Sequence, residues 1–235
     1  MFERRLHVGD DSTPFLTFGS LIHETLERAE ASAVENQLPH AEQADALAEL
    51  DSIWDPSAFG GEPWATAWYR QAVRIIEYLY EHWPSRGIPV ALEQAVSLNI
   101  GGVLWRGKAD RVERAGDALR IVDYKTGATV PTTADAAVSI QLGFYLLALR
   151  SDEQFAPFGP VEDAEMWFPA KTDAKSVTVR RFDAHQLERV AETMHAVARG
   201  IAAEQWSATP NARCSGCRVR IVCPEWPEGR EAFTT

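Results

Sequence analysis

The sequence reads as a mixed α/β (α+β) chain: a central mixed sheet flanked by helices, with an N-terminal helical region and a C-terminal cysteine segment. Three observations carry this reading. Apolar residues recur at helical spacing along the first third of the chain. From Val90 the spacing switches to that of strands, and helical spacing then returns between two sets of strand-like runs. The resulting order of helices, three strands, helix, strands and helix is that of a mixed core with a helical front end.

Taken in order, Leu21 to Ala31 is expected to be helical, with Ser20 as N-cap. A short helix follows from Ala41 to Leu50. Pro63 opens a long amphipathic helix to about Trp83, whose stripe is Trp64, Trp68, Ile75, Ile76 and Leu79; Pro84 and Gly87 end it. Val90 to Ile100 and Val103 to Arg114 read as a hairpin closed by Gly101-Gly102. After the turn at Ala115 to Asp117, Leu119 to Tyr124 is a mostly apolar strand of the buried kind. Ala134 to Arg150 is helical, Glu165 to Phe168 and Ser176 to Phe182 are strands, and Asp183 caps a helix reaching Gln205. This divides the chain into a helical region (1–88), a core (89–205) and a cysteine segment (206–235), expected to form one compact domain.

With 235 residues and 46% hydrophobic content, including eight tryptophans, the chain can bury one sizeable core. No apolar run approaches the roughly 18 to 20 residues that a membrane-spanning helix needs, so no membrane partner is expected. Met1 to Arg5 leads into no apolar signal core, which points to the cytoplasm. The net charge of −11 works against autonomous nucleic-acid binding. Acidity is concentrated between Glu24 and Asp55, whereas Lys and Arg gather around Lys171 to Arg181 and Arg213 to Arg220.

Chemistry concentrates in two segments, Gly107-Lys108-Ala109-Asp110 and Ile121-Val122-Asp123-Tyr124-Lys125-Thr126-Gly127. Asp123 and Lys125 are two apart, so on a strand their side chains share a face. Asp-x-Lys alone is a common solvated pair. Here it ends a buried-type strand, where charges are unexpected unless they serve a site. Asp110 and Asp123 on neighbouring strands make an oxygen-rich place for Mg²⁺ or Mn²⁺, and a lysine beside them can orient water and stabilise a phosphoryl oxygen. Phosphodiester hydrolysis needs those parts.

Gly-x-x-Asp, Ile-Val-Asp-Tyr-Lys-Thr-Gly and then Gln141-x-x-x-Tyr145 together resemble the RecB-like exonuclease branch of the PD-(D/E)xK nucleases, over nearly the whole chain from Phe18 to Pro224. The resemblance implies a restriction-endonuclease-like core. It also implies that Asp110 and Asp123 hold the metal, with the Tyr124 backbone carbonyl as an additional ligand and Lys125 as the catalytic lysine. Phe18 to Glu24 looks like the segment in which this branch places a metal-binding histidine, here His23. Gln141 and Tyr145, four apart on one helix face, correspond to a pair that lines the cleft in similar nucleases. Glu93 matches an acidic position of relatives, expected to support the ligands or to lie at the surface. Arg111, Lys171, Lys175, Arg180 and Arg181 are candidates for guiding a DNA backbone.

Cys214-x-x-Cys217-x₅-Cys223-Pro224 resembles the C-terminal part of the iron–sulfur clamp of AddB-type and CRISPR-adaptation nucleases. It implies a [4Fe–4S] cluster, with zinc as the weaker candidate. The family clamp uses a fourth cysteine upstream of the histidine helix, which this chain lacks; Met1 to Leu6 resembles the stretch just after it, so the natural start is expected slightly upstream. The function expected is a Mg²⁺- or Mn²⁺-dependent deoxyribonuclease, an exonuclease on single strands or duplex ends, serving repair, recombination, CRISPR adaptation or phage DNA processing. A helicase or a CRISPR-adaptation protein is the expected partner. The competing expectation is a non-catalytic DNA-binding scaffold of a helicase–nuclease complex.

Overall fold

A computed structural model describes residues 14–127, 129–212, 214–217 and 219–227. By contacts the described residues divide into two compact units, Pro14–Ala198 and a smaller one that begins at Arg199. The larger unit carries three front helices, α1 (Pro14–Asn36), α2 (Gln43–Ile53) and α3 (Trp64–Glu81). Strands β1 (Ile88–Ile100), β2 (Val103–Ala115) and β3 (Ala118–Tyr124) follow, then α4 (Thr133–Ala137), α5 (Ile140–Arg150), β4 (Val161–Phe168), β5 (Thr178–Arg181) and α6 (Leu187–Ala202), of which the residues up to Ala198 belong to this unit.

The strands form one mixed sheet in the order β1-β2-β3-β4-β5. All neighbours are antiparallel except β3 and β4, which run parallel because α4 and α5 cross over between them. The β1–β2 turn needs positive φ at two successive residues, and Gly101 (φ 60°) and Gly102 (φ 81°) supply it at little steric cost.

Alternate residues of the buried strands face different helices. Val122, Tyr124 and Trp167 pack with Ile22 and Leu26 of α1 and Ile75, Ile76 and Leu79 of α3. Ile121, Ala164, Met166 and Phe168 pack instead with Leu142, Leu146 and Leu149 of α5 and Met194 of α6. The sheet is therefore the middle of three layers. Each large aliphatic side chain buried this way contributes about 1.5–3 kcal/mol.

Several boundaries differ from the sequence reading. Helix α1 begins at Pro14, so Ser20 lies inside it and caps nothing. A Cβ on Gly19 would lie 3.2 Å from the Thr126 hydroxyl, so this helical glycine permits α1 to approach the turn after β3. The single helix expected from Ala134 to Arg150 is two: it breaks at Val138, and Ser139 starts α5 by accepting from the Leu142 amide at 3.4 Å. This break places Gln141 in the first turn of α5. Asp183 does act as a cap, but of a short 3₁₀ turn (Ala184–Gln186) ahead of α6.

Among the described residues no helix is long and apolar enough to cross a membrane.

Candidate active site

Helix α1 presents His23 toward the hairpin of β1 and β2. Its Nδ1 lies 3.2 Å from Asp110 Oδ1 and 3.6 Å from Glu93 Oε1. One ligand atom from each of His23, Glu93 and Asp110 lies within 4.8 Å of the others, the one such group of potential metal ligands among the described residues. Glu93 reaches this position through an unusual backbone: its φ is +45°, left-handed, in the middle of β1. For a non-glycine residue that conformation costs about 1–2 kcal/mol. Strain of this kind concentrates where side-chain direction matters more than local stability.

Asp110 and Asp123 are each one step beyond the paired residues Arg111 and Val122 of β2 and β3. Asp110 Oδ2 accepts from the Tyr124 backbone amide, which fixes the carboxylate across the two strands. Asp123 is 3% exposed. Its Oδ1 accepts from Gln141 Nε2 at 2.8 Å, while Lys125 Nζ lies 2.6 Å from Oδ2, which has no aligned hydrogen-bond donor. Gln141 Oε1 accepts from Lys125 Nζ at 2.8 Å, and Gln141 Nε2 also reaches the Tyr145 hydroxyl at 2.9 Å. The amide of Gln141 is thus oriented by its neighbours, with its carbonyl toward the lysine and its NH₂ toward the carboxylate and the phenol.

The electrostatics follow from crowding acids in a buried place. Burial pulls the His23 imidazole down, but hydrogen bonds to Asp110 and Glu93 and their negative charge outweigh it and push the ring up to about 10. Burial likewise opposes ionisation of Glu93, yet His23 and the ammonium of Lys108 hold its carboxyl below the ordinary value. Asp123 goes the other way: burial, reinforced by Asp110, raises it to about 6 against the pull of Lys125. Burial pushes the Tyr145 phenol up to about 12.

His23, Glu93, Lys108, Asp110 and Thr126 line an open cleft of about 980 Å³, flanked along α1 by Phe15, Ser20, Glu24, Glu27 and Arg28. The residues present suit a hard divalent cation. Imidazole and carboxylate donors converge, Asp123 offers a buried oxygen without an aligned donor, and Lys108 and Lys125 are drawn to the acidic groups.

The sequence candidates fall into two adjoining groups. The structure brings His23 and Asp110 together, and Glu93, expected only in a supporting or surface place, joins them at ligand distance. Asp123, Lys125, Gln141 and Tyr145 form the second group, joined by hydrogen bonds. The expectation for Arg111 is overturned: it is fully buried, so it cannot meet a DNA backbone. Arg180 donates to the Pro131 carbonyl and Arg181 pairs with Glu165. Lys171 lies 3.7 Å from Asp173, and Lys175 is exposed.

In the smaller unit, Cys214, Cys217 and Cys223 carry free thiols and line a cavity of about 170 Å³ together with Asn211 and Trp226. The Asn211 amide donates to Cys214 Sγ at 3.2 Å. Arg213, Arg218 and the stretch from Met1 to Leu6 lie outside the described residues.

A strand-borne Asp-x-Lys, a facing aspartate on the neighbouring strand and a glutamine from the crossover helix make a buried acidic site with one lysine drawn into it. The chain belongs to the PD-(D/E)XK nuclease superfamily, whose sequence profile matches residues 1–224. It is similar to the gene 69 protein of Mycobacterium phage D29, at 27% identity over 147 residues (61% of this chain and 51% of that one). It is also similar to a tRNA dimethylallyltransferase of Acidiphilium cryptum, at 30% identity over 144 residues (60% and 42%). The chain thus spans about half the length of these curated relatives. Among solved structures, a Eubacterium rectale protein described as a candidate exonuclease aligns over 98% of this chain and 79% of its own, with 14% identity and a TM-score of 0.48.

Proposed function

We propose that the chain is a divalent-metal-dependent deoxyribonuclease that digests DNA from single strands or duplex ends. The observation that carries this reading is the junction of the two groups: a His23–Glu93–Asp110 ligand set beside an Asp123–Lys125–Gln141–Tyr145 network. His23, Glu93, Asp110 and Asp123, with the Tyr124 carbonyl, would hold Mg²⁺ or Mn²⁺. Such an ion supplies Lewis-acid polarisation of a phosphoryl oxygen and a more acidic water. Lys125, held by Gln141, offers an ammonium to the attacking water or to charge developing on the phosphate. Tyr145 and Asp123 fix the Gln141 amide and so the direction of that ammonium. Lys108 balances the carboxylates at the open side of the cleft.

The finer readings belong with this proposal. Cys214, Cys217 and Cys223 are candidate ligands of a [4Fe–4S] cluster or, less favoured, of zinc; their clustering around one small cavity supports it. The acidic net charge favours a helicase or CRISPR-adaptation partner that supplies DNA affinity.

End-labelled single- and double-stranded DNA and closed circular DNA, each incubated with Mn²⁺ or EDTA, test the proposal. Metal-dependent loss of label from linear DNA alone, abolished in Asp123→Ala and Lys125→Ala, is expected. Equal activity in these variants would refute the assigned site, and cutting of closed circles would refute the exonuclease reading.

A further inference from the structure

Asp110 is followed on β2 by Arg111, whose charge is wholly buried. Its guanidinium is nearly fully coordinated: Nε donates to Glu113 and Nη1 to Glu30, each at 2.9 Å, and Nη2 to the carbonyls of Pro39 and Gly87. The group also lies over the Trp83 ring, 5.2 Å from its centroid. Glu30 is equally enclosed, its other oxygen accepting from the Ala41 amide and the Tyr80 hydroxyl. Glu113 accepts from Ser85 as well, and a Cβ on Gly87 would lie 2.6 Å from the Glu113 side chain, so a larger residue there would displace this carboxylate.

This network is not needed to fill a core. Burying such ion pairs yields little net stability compared with well-packed apolar residues, so their placement calls for another explanation. The explanation lies in what shares the two elements. Glu30 is seven residues after His23 on α1, two turns on and on nearly the same face, about 10 Å along the axis. Two neighbouring residues of β2 thus meet the same helix two turns apart: Asp110 meets His23, and Arg111 meets Glu30.

We propose that the Glu30–Arg111 pair is a positioning device for the metal site, holding α1 at the height on β2 where His23 reaches Asp110 and Glu93. This rests on the metal-dependent nuclease reading above. A slip of α1 by one residue would move His23 about 1.5 Å along the axis and swing it about 100° around it, which separates the ligands. The surrounding apolar contacts of α1 are non-directional and tolerate small shifts; a guanidinium fork does not. Arg111 and Glu30 touch no substrate, and act through His23.

The test uses the full chain and Mn²⁺ alone, titrated by calorimetry, with melting followed in parallel. Glu30→Asp keeps the charge but withdraws the carboxylate by one methylene, Arg111→Lys keeps the charge but loses the fork, and Tyr80→Phe, which removes one donor to Glu30 and leaves both charges in place, is a milder variant read in the same direction should either fail to fold. Leu149→Ala, in the core on the other face of the sheet, controls for general destabilisation. Mn²⁺ affinity should fall about 10–100-fold in the Glu30 and Arg111 variants and stay within about 2-fold of the parent in Leu149→Ala, although that variant melts lower. Adding Glu30→Asp to His23→Ala should cost no further affinity, because the pair acts through the histidine. The His23 ring resonance of the metal-free protein should move in Glu30→Asp. Folded variants with parental affinity and an unmoved resonance would overturn the proposal. So would a loss that follows melting temperature across all variants, Leu149→Ala included, or additivity with His23→Ala. If the parent chain binds no Mn²⁺, the nuclease reading fails by itself, and the His23 resonance in Glu30→Asp still decides whether the pair positions the helix.

Discussion

The contact between His23 and the two carboxylates makes a sharp prediction for the metal-free protein. The folded-state imidazole titrates near 10, whereas in the unfolded chain it returns to about 6.5. A group with a raised folded pKa contributes stability that is fully present below the unfolded value and is lost as pH rises through the folded one. Metal-free protein should therefore lose stability between about pH 6.5 and pH 10, in the direction opposite to that of an acid-paired carboxylate. At about 1.4 kcal/mol per unit, the shift sets a ceiling of about 5 kcal/mol. The His23 side chain is 28% exposed, and solvent screening reduces the expected loss to about 2–4 kcal/mol. Asp123 titrates near 6, below this window, so it does not mask the effect. The assay is urea unfolding in EDTA at several pH values, for the parent chain and His23→Gln. The parent should lose stability steadily toward pH 10 and the variant should be nearly flat. An equal slope in both would refute the contact. Saturating Mn²⁺ should reverse the dependence, because the ligand form of histidine is the deprotonated one.

Three further outcomes follow from the same geometry. Gln141→Leu removes the partner shared by Asp123, Lys125 and Tyr145, and nuclease turnover should drop about 10–100-fold while the circular dichroism spectrum is retained. Gly107→Ala places a Cβ 2.8 Å from the Tyr145 ring and 2.9 Å from Phe144, and should destabilise the fold by about 1–3 kcal/mol in urea unfolding while lowering turnover through a displaced Tyr145. Arg111→Lys should leave the salt dependence of DNA binding unchanged, because a buried guanidinium contacts no phosphate, whereas loss of a true phosphate contact would lower the slope by about one.

The sheet was legible because its signals are local. Gly101-Gly102 dictates a hairpin, and Ile121 to Tyr124 is apolar enough to be read as a buried strand. The Asp-x-Lys at its end and the facing Asp110 followed from that register. Helix limits were less legible for identifiable reasons. Gly19 and Ser20 look like a helix start, yet the glycine is there for the approach of Thr126, a contact distant in sequence. The break at Val138 depends on a Ser139 cap that competes weakly with an otherwise continuous helical pattern. Glu93 could not be placed because its direction is set by a left-handed backbone, and nothing in an acidic side chain on a strand announces that conformation. Arg111 was misread for a related reason. A charged residue suggests the surface, and its two buried carboxylate partners come from Glu30, far away on α1, and Glu113 on its own strand.

His23, Glu93 and Asp110 are proposed as a cation site that works with Lys125. Calorimetric Mn²⁺ titration of the parent chain, Glu93→Gln and Asp110→Asn, with DNA cleavage measured on the same samples, tests it most directly. Mn²⁺ should bind the parent, with affinity lowered at least about 10-fold in each variant and cleavage lost in proportion. Parental Mn²⁺ affinity in both variants, or full cleavage without bound Mn²⁺ or Mg²⁺, would contradict it.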